Sequence, residues 1–106
     1  MKSRVFITGA TGGLGKAFAV ECASRGFDLF LTDISGPALA RLSESLISTY
    51  DVKVLYYGCD LTDTDSRSIL YEHIRSRGLM FDFLINVAGL DFEGAFAERT
   101  PDQIRT

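Results

Sequence analysis

The stretch Ile7–Gly15, which reads ITGATGGLG, places four glycines within seven positions directly after a short apolar run. Glycine loses more conformational freedom on folding than any other residue, so this density indicates backbone that turns tightly or approaches something closely. Arg4–Thr8 is rich in β-branched and aromatic residues and predicts a strand. Gly13–Arg25 has helical spacing and ends at Gly26. The stretch therefore predicts a tight turn between a strand and a helix.

This alternation between strand and helix patterns continues along the chain. Three further apolar runs predict strands at Asp28–Thr32, Lys53–Tyr57 and Phe81–Asn86, and helical spacing fills the intervals between them. Strands that alternate with helices are typical of right-handed crossovers and of a parallel sheet covered on both faces. We therefore expect one α/β domain over residues 1–106, a three-layer, doubly wound parallel sheet with four strands in the order 3-2-1-4.

The helices carry signals for their ends and their buried faces. The second is expected to begin after an N-cap at Ser35, and the third after an N-cap at Thr62. His73, on the third helix, is expected to be solvated. The first helix is expected to bury the apolar residues that recur on one side, namely Leu14, Ala17, Phe18 and Cys22.

Composition limits the classes of function. Hydrophobic residues make up 46% and charged residues 24%, with a net charge of −3 and no cluster of Lys or Arg, which argues against nucleic acid as a partner. The longest apolar runs, Phe27–Leu31 and Leu79–Ile85, are too short to span a bilayer, and no signal peptide is present. Cys22 and Cys59 lack a CxxC or His partner, which predicts buried, reduced thiols. We expect a cytoplasmic protein with no membrane partner.

Between a strand and a helix, this glycine pattern is typical of a dinucleotide-binding turn. Gly9 would form the tight turn, a middle glycine would let the backbone approach a pyrophosphate, and Gly15 would let the helix pack closely against the strand. The pyrophosphate would then bind the N–H groups at the helix N-terminus. The residues of this turn predicted to contact the cofactor are Gly9, Thr11, Gly12, Gly13, Leu14 and Gly15.

Asp33 ends the second predicted strand, 18 residues after Gly15. A carboxylate at this position accepts hydrogen bonds from both hydroxyls of the adenosine ribose and repels a 2′-phosphate. Gly12 stands where a basic residue would favour a phosphate, and the apolar Ile34 follows the acid. The sequence therefore predicts that the cofactor is NAD rather than NADP, with Asp33 and Ile34 at the adenosine. The alternative is that Asp33 is only a loop acid.

The third and fourth predicted strands should end at the same edge of the sheet as the first two. After the third strand, Asp60 would bond the adenine amino group while Leu61 packs beside the ring; alternatively, Asp60 only begins the next helix, near Thr62. After the fourth strand, small residues would let the cofactor's ribose approach the backbone, and an Asn side chain would tie neighbouring loops together. The residues predicted to contact the cofactor at these two ends are Asp60, Leu61, Asn86, Ala88 and Gly89.

These motifs resemble those of the short-chain dehydrogenase/reductase family. Thr8–Gly15 fits its TGxxxGxG turn, Asp60-Leu61 fits its adenine-site pair, and Asn86–Gly89 fits its NNAG motif apart from Val87. The glycines alone also fit the TGxxGxxG of the extended, epimerase-like branch, whereas Asn86–Gly89 indicates the compact branch. The resemblance covers the family's N-terminal half. It implies a Rossmann fold that binds NAD(H) and an oxidoreductase that transfers hydride between this cofactor and an alcohol or ketone.

The resemblance also implies a catalytic Tyr-x-x-x-Lys pair, in which the lysine lowers the phenol pKa, and the 106 residues contain none. Only Tyr71 with Arg75 imitates it, on the third predicted helix, where a helix-surface contact is the simpler interpretation. The chain reaches Thr106 inside a helix predicted to start at Thr100, which leaves the fourth strand as an open edge. We therefore expect the N-terminal portion of a longer enzyme, truncated after the fourth strand, with no catalytic residues and no activity alone.

Two other classes of function stay open from the residues. One is a dinucleotide-binding module without catalysis. The other is a homo-oligomer that associates through the open edge of the fourth strand. A methyltransferase also uses a glycine turn and an acid after its second strand, but the Thr8-Gly9 opening and the Asn86–Gly89 end disfavour it.

Overall fold

The computed structural model describes residues 3–88 of the chain. These residues form four strands and three helices that alternate along the sequence. In chain order the elements are β1 (Arg4–Thr8), α1 (Gly13–Ser24), β2 (Asp28–Asp33), α2 (Gly36–Thr49), β3 (Val54–Gly58), α3 (Thr64–Ser76) and β4 (Phe83–Asn86).

The described strands form one parallel sheet in the order β3-β2-β1-β4. Helices α1 and α2 pack on one face, and α3 covers the other. The register pairs Thr8 with both Thr32 and Asn86, so the carboxyl ends of β2, β1 and β4 lie level. The predicted α/β class, layering and strand order are confirmed. In such a sheet ligands bind beyond the carboxyl ends where the strand order reverses, which is between β1 and β4 here.

Strand β2 lies at the centre of the hydrophobic core. Leu29 and Leu31 are buried on the face that carries α1 and α2, while Phe30 is buried on the opposite face beneath α3. The Phe30 ring lies edge-on to Phe6, with centroids 5.2 Å apart, and 5.6 Å from Phe81. Burial on both faces explains why this strand reads as a continuous apolar run.

Helix α1 buries a different face from the predicted one. Its buried residues are Gly15, Ala19, Cys22 and Ala23. Of the predicted stripe only Cys22 is buried, while Ala17 is exposed and Leu14 and Phe18 are 50% and 37% exposed. Three of the four buried residues are Gly or Ala, and their small side chains let the helix backbone lie close to the sheet. The hydrophobic pattern missed this because it weights large side chains.

One predicted helix start is confirmed and one is wrong. The Ser35 side chain caps α2 by accepting a hydrogen bond from the Ala38 N–H at 3.2 Å. The N-cap of α3 is Asp63 rather than Thr62. The Thr62 hydroxyl is engaged elsewhere, because it donates to the Asp60 carboxylate at 2.6 Å.

Cys22 and Cys59 are buried free thiols, as predicted. Within residues 3–88, none of the helices is long and apolar enough to cross a membrane. Gly89 and the helix predicted from Thr100 lie outside the described residues.

Candidate functional site

The glycine turn leads from β1 into α1 at the point where the strand order reverses. Gly9 has a φ of +65°, and a Cβ there would lie 2.9 Å from the Ala88 backbone nitrogen. Both the dihedral angle and the space therefore require glycine at position 9. The predicted tight turn at Gly9 is confirmed.

Gly15 is required for a different contact from the predicted one. A Cβ at this position would collide with the Gly9 carbonyl oxygen and would lie 2.9 Å from the Ala10 Cα. The first turn of α1 thus packs against the glycine turn itself rather than against the strand alone. By contrast, a Cβ at Gly12 would be 3.7 Å from its nearest neighbour, and one at Gly13 would meet nothing within 4 Å. Contacts within the described residues do not require the two middle glycines.

Within α1 itself, no side chain compensates the partial charge of the helix N-terminus. Its N-cap Gly12 offers no side-chain hydrogen bond, and its first turn contains no acidic residue. The other two described helices differ, because Ser35 caps α2 and Asp65 lies in the first turn of α3. A helix N-terminus carries a partial positive charge and unpaired N–H groups. The start of α1 is therefore an electrostatically favourable place for an anion.

Asp33 lies beside this turn and is hydrogen-bonded to it. Its Oδ2 accepts from the Thr11 N–H at 2.8 Å and from the Thr11 hydroxyl at 2.6 Å. Its Oδ1 accepts from the Ile34 N–H at 2.7 Å. Burial alone would raise the pKa of Asp33, but the hydrogen bonds from Thr11 and Ile34 outweigh it and hold the pKa below its ordinary value. The carboxylate is therefore charged at neutral pH.

A cavity of about 140 Å³ extends from Asp33 toward the end of β3. Ile34, which is 69% exposed, and Leu61 are apolar residues of its lining. Gly9 and Ala88 form its side nearest the glycine turn. The structure thus brings together predicted site residues from four separate loops.

Asp60 also lines this cavity, but its carboxylate bonds its own loop. Oδ1 accepts from the Thr62 N–H at 3.0 Å and from the Thr62 hydroxyl at 2.6 Å. These two bonds, of which the one from the hydroxyl is the larger influence, hold the pKa of Asp60 below its ordinary value. Of the two interpretations of Asp60, this geometry favours the acid that begins the next helix.

The ends of β1 and β4 are joined by side chains. The Thr8 hydroxyl donates to Asn86 Oδ1 at 2.6 Å and accepts from the Ala88 N–H at 3.2 Å. Asn86 therefore ties neighbouring loops, as expected, whereas Thr8 was not among the predicted site residues. Because Thr8 is the first residue of the TGxxxGxG motif, the sequence could have identified it as a site residue.

A larger groove of about 560 Å³ lies between α3 and β4, and Thr8 and Asn86 are among its lining residues. Tyr71 lines it and is 53% exposed. Arg75 pairs with Glu72 at 3.1 Å. This ion pair supports the structural interpretation of the Tyr71 and Arg75 spacing, because it engages the cation elsewhere on the helix.

His73 is half-buried rather than fully solvated. Its ring stacks on Tyr57 with centroids 4.2 Å apart, and the Phe30 ring is 6.3 Å away. Burial, followed by the nearby Arg77 charge, lowers the pKa of His73 from its ordinary value. In residues 3–88 there is no group of three or more His, Cys, Asp or Glu side chains that could hold a metal ion.

Comparisons with known proteins agree on one family. The family model described as short chain dehydrogenase matches residues 3–106. Very-long-chain 3-oxoacyl-CoA reductase-A of Danio rerio is 35% identical over 88 residues, which cover 81% of this chain and 26% of the relative.

Two solved structures agree with this match. A short-chain dehydrogenase from Sphingobium yanoikuyae in complex with NADPH is 32% identical, with a TM-score of 0.64 over 69% of this chain and 29% of that one. An alcohol dehydrogenase from the archaeon Thermococcus sibiricus, complexed with 5-hydroxy-NADP, is 26% identical, with a TM-score of 0.73 over 79% and 36% of the two chains. The chain spans about a quarter to about a third of the length of these relatives.

Proposed function

This chain belongs to the short-chain dehydrogenase family, and from that premise we propose that it supplies the cofactor-binding site of an oxidoreductase. The reaction is hydride transfer between a nicotinamide dinucleotide and an alcohol or ketone. The bound cofactor supplies the hydride acceptor or donor. The residues of this chain bind the cofactor's adenosine and diphosphate and orient it at the carboxyl ends of the strands.

The observation that carries this proposal is the uncapped N-terminus of α1 behind a glycine turn. Gly9 and Gly15 are required by the fold, whereas Gly12 and Gly13 have space beside them. A side chain at either middle position would occupy the space through which a diphosphate reaches the N–H groups. We assign the diphosphate to the turn residues Gly9, Thr11, Gly12, Gly13, Leu14 and Gly15.

The rest of the cofactor site follows from the neighbouring loops. The cavity between Ile34 and Leu61 receives the adenine ring, with Asp60 at its rim. Asn86, Ala88 and Gly89 approach the ribose on the nicotinamide side. The Thr8 hydroxyl holds Asn86 and Ala88 in register with β1 and so supports the predicted role of this loop.

We further propose that the cofactor is NAD rather than NADP. The Asp33 carboxylate is charged and lies at the adenosine end of the turn, where it would repel a 2′-phosphate. Positions 12 and 34 hold Gly and Ile, which offer no positive charge to a phosphate. The two solved relatives described above contain NADPH and 5-hydroxy-NADP. The proposal that this chain prefers NAD therefore rests on its own residues and not on these relatives.

In the 106 residues no tyrosine is followed four positions later by lysine. A phenol next to an ammonium group is the acid that ketone reduction needs in this family. We therefore expect the purified 106-residue chain to bind cofactor without reducing ketones. Ketone reduction by this chain that is lost in Asp33→Arg would contradict that expectation.

Calorimetric titration with ADP-ribose tests the proposed site through a matched pair of variants. Gly13 and Gly36 are both the first residue of a helix, and both have open space where a Cβ would lie. Gly13→Asp places a negative charge where the diphosphate binds and should abolish binding, while Gly36→Asp should leave it unchanged. Thermal unfolding verifies that both variants are folded at the temperature of the titration. Equal binding by the two variants would refute the proposed site.

We propose that a second copy of this chain is its partner and that the two copies associate through β4. Among the described strands β4 pairs only with β1, and its Phe83 and Leu84 are 56% and 48% exposed. Pairing of this edge with a second copy would satisfy its backbone N–H and C=O groups and extend the apolar surface of the sheet. Sedimentation velocity should give a species larger than a monomer, and a monomer at every concentration would contradict the assignment.

We also propose a cytoplasmic location for the protein. The two buried, unpaired cysteines support it, because disulfide bonds are rare in the cytosol.

A further inference from the structure

We propose that Thr11 is a positioning residue for Asp33. Its hydroxyl holds the carboxylate in the orientation that receives the adenosine ribose, so affinity for NAD and discrimination against NADP depend on both residues. This inference rests on the proposed function, since it concerns the same cofactor site.

Asp33 is held from two sides. Thr11, in the glycine turn, donates both its N–H and its hydroxyl to Oδ2, at 2.8 and 2.6 Å. Ile34, at the end of β2, donates its N–H to Oδ1 at 2.7 Å. Because the two oxygens are bonded to different segments of the chain, both torsion angles of the Asp33 side chain are fixed before any ligand binds.

The number of donors limits how a ribose can bind. A carboxylate offers about four acceptor positions. Three of these are used by donors of the described residues, two on Oδ2 and one on Oδ1. The remaining position lies on Oδ1, so the first ribose hydroxyl bonds there. This refines the sequence-based prediction, in which both ribose hydroxyls donate to Asp33.

The Thr11 hydroxyl is the part of this arrangement that a side-chain substitution can remove. The Thr11 N–H remains in every variant, and the Ile34 N–H bond is local to Asp33. Without the hydroxyl, Oδ2 keeps only the Thr11 N–H as a donor, so the carboxylate is held less firmly in this orientation. Ordering it again on binding costs affinity, and a rotated carboxylate repels a 2′-phosphate less effectively.

Three chains are compared in the experiment: the unaltered protein, Thr11→Val and Thr11→Ser. Valine matches the shape of threonine without the hydroxyl, and serine keeps the hydroxyl without the methyl group. Binding of ADP-ribose and of its 2′-phosphate is measured by calorimetry, and the Asp33 carboxyl pKa by NMR titration. Thermal unfolding verifies that each variant is folded.

We expect Thr11→Val to bind ADP-ribose about two- to tenfold more weakly, which is the cost of ordering one side chain on binding. Binding of the 2′-phosphate should change less, so the ratio of the two affinities falls. The pKa of Asp33 should rise toward its ordinary value in Thr11→Val but not in Thr11→Ser, which should also restore the affinity ratio. A purely structural role of Thr11 would not move this ratio.

Two negative results have different meanings. If the unaltered chain binds ADP-ribose and Thr11→Val binds it equally well with the same affinity ratio, the inference about Thr11 is wrong and the proposed function stands. If the unaltered chain binds neither ligand, the proposed function is refuted and the inference fails with it.

Discussion

Replacement of Gly15 by alanine tests the contact between α1 and the glycine turn. The added Cβ would collide with the Gly9 carbonyl oxygen and lie 2.8 Å from the Gly9 carbonyl carbon and 2.9 Å from the Ala10 Cα. All three are backbone atoms in a turn whose own conformation is fixed by a positive φ. The start of α1 must therefore move away from the turn, because no side chain can give way.

The magnitude follows from two opposing effects. Overpacking in a well-packed region costs about 1–3 kcal/mol. Alanine gains up to about 1 kcal/mol over glycine in a helix interior and less in the first turn. We expect the free energy of unfolding of Gly15→Ala to fall by about 1–2 kcal/mol, which lowers the melting temperature by roughly 4–16 °C for a domain of this size.

Gly13→Ala is the matched control for this prediction. It lies two residues earlier in the same helix, and its Cβ would meet nothing within 4 Å. Urea and thermal unfolding followed by circular dichroism should show this variant to be as stable as the unaltered chain or slightly more so. If Gly15→Ala unfolds at the same urea concentration as Gly13→Ala, the close packing of α1 against the turn is wrong.

Two further predictions concern side chains near this turn. The pKa of Asp33 is depressed in the folded state, so its contribution to stability is full above the unfolded value of about 3.9 and is lost as the pH falls through the folded value. Urea unfolding should show the largest deficit of Asp33→Asn near pH 7 and a shrinking deficit as the pH falls below the unfolded value. A deficit that does not change with pH would contradict this. Thr8→Val removes the hydroxyl that bonds the Ala88 N–H and Asn86 Oδ1, so the free energy of unfolding should fall by about 1–3 kcal/mol. Thr8→Ser keeps the hydroxyl and should recover most of this loss. Equal stability of the two variants would exclude this role of the hydroxyl.

The fold was predictable from the sequence because local signals agreed with one another. Apolar runs predicted β1 and β2 to within one residue, and their alternation with helices predicted the parallel sheet. Gly9 was predictable because the geometry of a strand–turn–helix unit requires a positive φ there. The N-cap at Ser35 was predictable because its hydroxyl bonds a nearby helix N–H group, that of Ala38.

The errors arose where side chains had a choice of partner. Thr62 suits an N-cap, but its hydroxyl bonds Asp60 instead, and this contact moves the N-cap of α3 to Asp63. His73 looked like a surface residue because stacking on Tyr57, which lies on a different element, leaves no trace in local spacing. The bonds from Thr11 to Asp33 span 22 positions and could be found only in three dimensions.

An NMR titration of the chain's backbone amides with ADP-ribose tests most directly whether the diphosphate binds at the glycine turn and the start of α1. We predict that the largest shifts occur at Gly13, Leu14 and Gly15, where the diphosphate meets the start of α1, and at Ile34, beside the ribose. Shifts confined to the groove between α3 and β4, around Tyr71, or shifts absent from the glycine turn at saturation, would contradict it.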